Sequence, residues 1–164
     1  MPKTIQVELS ESSINSAVKE LKQYAIWVAT KEGELRSRLA MIGATVASVH
    51  FSRAIYNGSN DISVRVDDTG SVAVIYAEGE SVAFIEFGSG AKYGYGHPTA
   101  GQFGMGPGTW SSGDMGKGHW DNPKGWWYEK GKHSYGNPPA MAMYNAVKEI
   151  TENVTRIARE VFAT

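Results

Sequence analysis

The chain contains no cysteine. A disulfide framework, a thiolate zinc site and a cysteine nucleophile are therefore excluded. No apolar run approaches the ~18 residues that a membrane-spanning helix needs. The first 30 residues hold no basic stretch leading into an apolar one, so no secretory leader is predicted. A large charge of either sign is also missing. The net charge is −1, which argues against a globally basic nucleic-acid binder and against an acidic solvating tail. What remains is a soluble chain of 164 residues, read as a single domain over 1–164. Such a chain can bury roughly 70% of the surface its unfolded form exposes, enough for an apolar core without staples.

What is present is unevenly distributed. Residues 1–57 carry seven Lys/Arg, five Asp/Glu and only Gly33 and Gly43 as glycines. Residues 58–87 carry Arg65 against six acids (Asp61, Asp67, Asp68, Glu78, Glu80, Glu86), a net charge of −5. Residues 88–136 hold fourteen of the nineteen glycines, four of the five tryptophans and three of the four histidines. A structureless loop of that length is unusual in a compact domain, and its aromatic side chains favour burial. It reads as a long surface excursion ordered by aromatic anchors or by a partner. The plainer reading is an insertion that packs on its own domain.

Hydrophobic spacing predicts the elements. Ser12 or Ser13 caps a helix. Ile14, Ala17, Val18, Leu21, Ala25 and Val28 lie on one face of it. Gly33 is a plausible break, after which Leu35, Leu39, Ile42, Val46 and Val49 continue the pattern, so one bent helix or two would fit. Ile62, Val64 and Val66 alternate with polar residues, as do Val72, Val74 and Tyr76. With Asp67-Asp68-Thr69-Gly70 between them they form a β-hairpin with a four-residue connection. Residues 81–87 fit a third strand or a short helix ended by Gly88. Pro138-Pro139 opens an amphipathic helix whose stripe of Met143, Val147, Ile150, Val154, Ile157 and Val161 covers the sheet. The fold class is α+β.

Tests for catalytic chemistry fail one after another. Gly116-Lys117 and Gly131-Lys132 lack the rest of a phosphate loop, and Gly88-Ser89-Gly90 is not a dinucleotide fingerprint. His97, His119 and His133, with Asp114 and Asp121, match no common zinc spacing. Ser89 sits in no nucleophile elbow. Asp67 and Asp68 sit at a hairpin tip, where adjacent acids make a turn. Lys117, Lys124, Lys130 and Lys132 interleave with aromatics, but no arginine occurs between Arg65 and Arg156, which argues against specific nucleic-acid reading. No catalytic, metal or cofactor site is predicted. The rival readings are a small carbohydrate-binding domain using Trp110, Trp120 and Trp126, and a metal-dependent hydrolase using the histidines of 88–136.

Three strings in order carry a resemblance. The hairpin is followed by Phe84-Ile85-Glu86-Phe87-Gly88-Ser89-Gly90. The Gly-rich stretch leads to Gly125-Trp126-Trp127-Tyr128. Gly136 and then Pro138-Pro139-Ala140-Met141 open the last helix. Over roughly residues 60–162 the chain resembles the tail-component, or tail-completion, family of long-tailed bacteriophages, whose members join the tail to the capsid connector. That family shows an aliphatic–Glu–Phe–Gly–Thr/Ser–Gly string and a Pro–Phe–Met/Leu string, and Ala140 stands here where the aromatic residue is expected. The resemblance marks Glu86, Phe87, Gly88, Gly90, Trp126, Trp127, Tyr128, Pro139 and Met141 as structural motif residues. It implies a non-catalytic virion protein of the neck, present in the host cytoplasm during assembly. It also implies a homo-oligomeric ring, sixfold, contacting head-connector and tail-tube or terminator proteins, with DNA passing through unread and no membrane.

The residues themselves leave choices open. Trp126, Trp127 and Tyr128 are predicted to be buried anchors, against the last helix or an adjacent protein. Glu86, an acid in apolar company, is either half-exposed and solvated or paired with a basic group, including one on a neighbouring subunit. Asp67, Asp68 and Glu78 either meet a basic face of the next subunit or line the channel and repel DNA.

Overall fold

The computed structural model describes residues 4–54, 60–93, 96–103, 124–127 and 133–163. The order is α1 (Glu11–Arg53), β1 (Ser63–Asp67), β2 (Val74–Glu78), α2 (Val82–Phe87), α3 (Gly90–Tyr93), a 3₁₀ turn (Ala100–Phe103), β3 (Trp126–Trp127), β4 (His133–Ser134) and α4 (Ala142–Ala163). β1 pairs with β2 and β3 with β4, both antiparallel, in two separate two-stranded sheets. The class is α+β, with a long first helix, a hairpin and a terminal helix. Among the described residues no helix is long and apolar enough to cross a membrane.

α1 is a single helix of 43 residues. It runs through Gly33, so of the two options, one helix or two, it is one. One interior glycine costs only about 1 kcal/mol. Glu34, bound to Lys31 at 3.3 Å and Arg38 at 2.6 Å, ties together the turns around it. The cap is Ser10, two residues before the nearest predicted one. Its hydroxyl accepts the Ser13 N–H at 3.2 Å, and the Ser13 hydroxyl accepts the Glu8 N–H at 2.9 Å. At the other end the Asn60 side-chain amide donates to the carbonyls of Phe51 and Ala54 at 2.6 and 2.9 Å. The Phe51 carbonyl also accepts the Ala54 N–H at 3.0 Å, so backbone and side chain together close the open end of the helix.

α4 lies antiparallel along α1. Trp27 meets Phe162 edge-on at 5.8 Å, Gly43 faces Ile150, and Ala47 and Phe51 pack with Ala142 and Ala146. The predicted stripe of α4 is therefore corrected in two ways. It faces α1 more than the sheet, and it is rotated: Ile157 and Val161 are buried with Ala142 and Ala146, while Val147 and Val154 are exposed. The two alanines allow a close helix approach that larger residues would prevent. The helix also starts at Ala142, three residues after Pro139.

The hairpin has a six-residue connection, since Asp67 pairs with Val74. The predicted face of its second strand is off by one residue. Val64 opposes Ala77 and Val66 opposes Ile75, so Ile75 and Ala77 turn inward and Val72 and Val74 stay exposed. A side-chain period of two lets one residue of register exchange the faces. Tyr76, on the outer face, lies under the Arg65 guanidinium at 4.1 Å.

Residues 82–87 form a helix, the second of the two options. The core sits where this helix, the hairpin and the facing ends of α1 and α4 converge, around Ala47, Phe51, Ile85, Ala142 and Ala146. The N-terminal stretch of α1 lies outside it. Of the face predicted to be buried there, Ala17 is buried and Val28 half-buried, while Ile14, Val18 and Leu21 are 46%, 43% and 56% exposed.

Gly43 marks the tightest meeting of the three elements. A Cβ there would come within 2.6 Å of both Ile150 Cδ1 and Ile75 Cδ1. Gly43→Val is expected to lower stability by about 1–3 kcal/mol through overpacking. Urea unfolding reads this as a lower midpoint at constant slope, and an unchanged midpoint would refute the close approach.

Candidate functional site

Two strings separated by more than forty residues form one joint. α2 ends at Phe87, which leaves its last carbonyls without helical partners. The Ile85 carbonyl accepts the Ala140 N–H at 2.8 Å and the Glu86 carbonyl accepts the Met141 N–H at 3.2 Å. Beyond the end of α2, Ser89 and Asn137 exchange both backbone bonds, at 2.9 and 3.2 Å, like a narrow antiparallel pair. The Ser89 hydroxyl also accepts the Asn137 N–H, at 3.2 Å.

The chains approach so closely only because of glycine. Gly88 has φ +77°, and a Cβ on it would sit 2.8 Å from Pro139 N. Gly136 has φ +101°, and its Cβ would fall 1.9 Å from the Ser89 carbonyl oxygen. Gly90, at φ +81°, turns the chain into α3.

The Glu86 carboxylate closes the joint. It is 5% exposed. Its Oε2 accepts the Met143 N–H at 2.9 Å and its Oε1 accepts the Tyr144 N–H at 3.0 Å. Met141 is the residue preceding α4, and its carbonyl accepts the first helical bond, from Asn145 N. A methionine side chain cannot cap, and Met141 adopts φ +52°. Glu86 thus supplies from another helix the oxygens that a Ser, Asp or Asn would normally supply in place. Its negative charge also faces the positive end of the helix dipole.

His97, 6% exposed, provides the third bond. Its Nδ1 accepts the Thr99 N–H at 3.2 Å, so the proton belongs on Nε2, which points at Glu86 Oε1 at 3.2 Å. The ring is held between Phe87, at 4.6 Å, and Tyr144, at 5.6 Å. Phe103 then packs on Phe87 at 5.7 Å. Glu86 is therefore not half-exposed and solvated; among the described residues two backbone N–H groups and one basic side chain, His97 of its own chain, satisfy it. Sequence reading weighed His97 only as a metal ligand. The useful signal was a lone buried acid lying before a second string that begins a helix with no capping side chain.

The remaining motif residues divide. Pro139 lies in the joint, against Gly88 and Gly96. Trp127 is not an anchor within the chain. It is 67% exposed on β3, edge-on to His133 at 4.6 Å, with Tyr135 beyond at 4.7 Å. Tyr128 and the side chain of Trp126 lie outside the described residues, as do Trp110, Asp114, Lys117, His119, Trp120, Asp121, Lys130 and Lys132. Among the described residues no three His, Asp or Glu side chains cluster as metal ligands.

The hairpin acids have partners in their own chain. Asp68 holds the Ser37 hydroxyl and, at 2.7 Å, Arg36; these two keep its carboxyl below the ordinary value. Glu78 holds Arg65 at 2.7 Å, with the same consequence. Asp67 accepts the hydroxyl and N–H of Thr69, which lowers it too.

No protein-family model, curated protein or solved structure matches this chain.

Two outcomes test this geometry. Glu86→Ala leaves two helix N–H groups and the His97 Nε2–H without their acceptor, and should cost about 3–5 kcal/mol of stability. Glu86→Gln keeps the shape but replaces one acceptor with a donor, and should cost about 1–3 kcal/mol. Urea unfolding of both variants checks the order, and a wild-type midpoint for Glu86→Ala would refute the cap. Asp68 has a depressed folded pKa, so its stabilisation is present above the ordinary carboxylate range and fades as pH falls through the folded value. Asp68→Asn should be less stable than wild type at pH 7, with the difference shrinking as the pH falls below the ordinary carboxylate range; a difference independent of pH would refute the pairing.

Proposed function

We propose that this chain is a non-catalytic structural subunit of a virion. It is a tail-completion or neck protein that joins the tail of a long-tailed phage to its head connector and assembles into a ring, sixfold as the resemblance implies. Its neighbours are head-connector and tail-tube or terminator proteins, with DNA passing through without specific binding.

The observation that carries this reading is the joint. The Glu86–Gly90 and Gly136–Met141 strings, on which the resemblance rests, are two halves of one contact. Their order and spacing then have a mechanical reason: each string completes the backbone hydrogen bonding of the other. Glu86 and His97, the buried titratable pair, bond to each other and to backbone N–H groups. Such an arrangement supports a role in holding shape. In this reading the hairpin acids meet the next subunit or the channel. The face they present is less negative than a count of carboxylates suggests, because Arg36 and Arg65 balance Asp68 and Glu78.

A sugar-stacking reading has the exposed Trp127–His133–Tyr135 ladder in its favour. The ladder supplies ring faces, whereas a binding site also needs convergent polar groups in a cleft.

The test is the particle. The flanking reading frames should encode capsid, connector and major tail proteins. Mass spectrometry of virions purified from that genome should find this chain at the copy number of a ring. Its absence from intact particles would overturn the reading. So would reproducible turnover of a substrate lost on changing one histidine or aspartate between 97 and 133.

A further inference from the structure

The two ends of α1 carry complementary surfaces. At its start, residues 4–8 form an arm that is neither helix nor strand, and the chain bends at Leu9 and Ser10, where the Ser10 N–H bonds the Glu8 carbonyl at 2.8 Å. Val7 is 52% exposed and Leu9 is 103% exposed, and Glu8 and Glu11 are exposed beside them. The arm is held at a set angle to the helix by the Glu8–Ser13 and Ser10–Ser13 bonds.

At the far end is an open groove of about 320 Å³. Ala54, Ile85, Pro139 and Ala140 give it apolar walls, and His50 and Arg53 give it a basic rim. Ile85, Asn137, Pro139 and Ala140 of its lining belong to the hydrogen-bonded joint. Its size suits one or two aliphatic side chains, such as the exposed Val7 and Leu9.

We propose that the arm of one copy occupies the groove of a second copy, Val7 and Leu9 against the apolar wall and Glu8 and Glu11 against Arg53 and His50. Charge sign and apolar content match on both sides. The occupant is a different molecule by reach: 43 helical residues put the ends of α1 about 64 Å apart, while residues 4–10 extend to at most about 25 Å. The arm is also a better acidic donor than the hairpin, since Asp68 and Glu78 already hold Arg36 and Arg65 in their own chain. Donor and acceptor are different surfaces, so the contact is head-to-tail and closes into a ring or extends as a filament. It gives the self-association in the neck reading a definite surface, and rests on that reading only for its setting.

Sedimentation velocity of the purified full-length chain tests it without any phage particle. Wild type should show an average mass that rises with concentration above 17.8 kDa. Leu9→Asp, which removes the arm's anchor, and Arg53→Glu, which reverses the rim, should each weaken association at least tenfold. An equimolar mixture of these two variants should give a heterodimer and nothing larger, because one intact arm and one intact groove remain. Glu8→Arg should weaken association alone and restore it in the Arg53→Glu background. Ala140→Phe, filling the groove, should act like Arg53→Glu, with its unfolding midpoint as the folding control. A wild type that stays monomeric to about 1 mM overturns the proposal. Association that survives both Leu9→Asp and Arg53→Glu, or variants that do not complement, overturns it as well. Either result leaves the virion test untouched.

Discussion

A carboxylate taken out of water must have its lone pairs filled, and Glu86 fills them at the first turn of another helix. Much of the local architecture follows from that requirement. α2 has to end where its carbonyls meet residues 140 and 141. The chain before α4 has to pass within backbone contact of Ser89, which only glycine at 88 and 136 permits. Met141 accepts a left-handed conformation that costs roughly 1–2 kcal/mol, offset by a helix start that is capped from outside. His97 draws the segment after α3 onto the same carboxylate and brings Phe87 and Phe103 into a stack. One acid therefore fastens three stretches of chain that share no sequence neighbourhood.

That kind of contact is the hardest to see in a sequence. The class, the hairpin and both long helices were legible because each repeats a local period. The joint has no period: it is a pairing of two irregular strings, visible only as a family-like pattern of Glu86, Gly88, Pro139 and Met141. The choice between strand and helix for 81–87 was undecidable in seven residues, and the deciding factor was tertiary, namely which carbonyls residues 140 and 141 would need. Charge counting over 58–87 includes Arg65 but does not show that it pairs with Glu78 across the hairpin, nor that the distant Arg36 answers Asp68.

Amphipathic spacing misled in α1. The apolar face of its first turns is real, but periodicity reports that a face exists and not what covers it. Near its C-terminal end α4 meets α1 at Trp27. Ile14, Val18 and Leu21 lie before that point and remain exposed. Likewise, the stripe of α4 turned because the close approach to α1 selects Ala142 and Ala146 for the contact and leaves the bulkier Val147 outside.

Six of the ten buried apolar side chains among the described residues are alanine, while Leu9, Leu21, Ile26 and Met41 are more than half exposed. This inverts the usual arrangement, in which the largest aliphatic side chains are the most deeply buried. Full burial of such a side chain contributes about 1.5–3 kcal/mol, so the chain leaves much of its apolar surface unused in folding alone. Small residues give α1 and α4 a close, well-defined contact, and the joint gives their meeting end rigidity without bulk. Stability thus resides at one end of the long helix, and unspent apolar surface concentrates at the other. A single copy with that division satisfies its backbone but not its surface, which is the condition under which assembly adds burial that folding left undone.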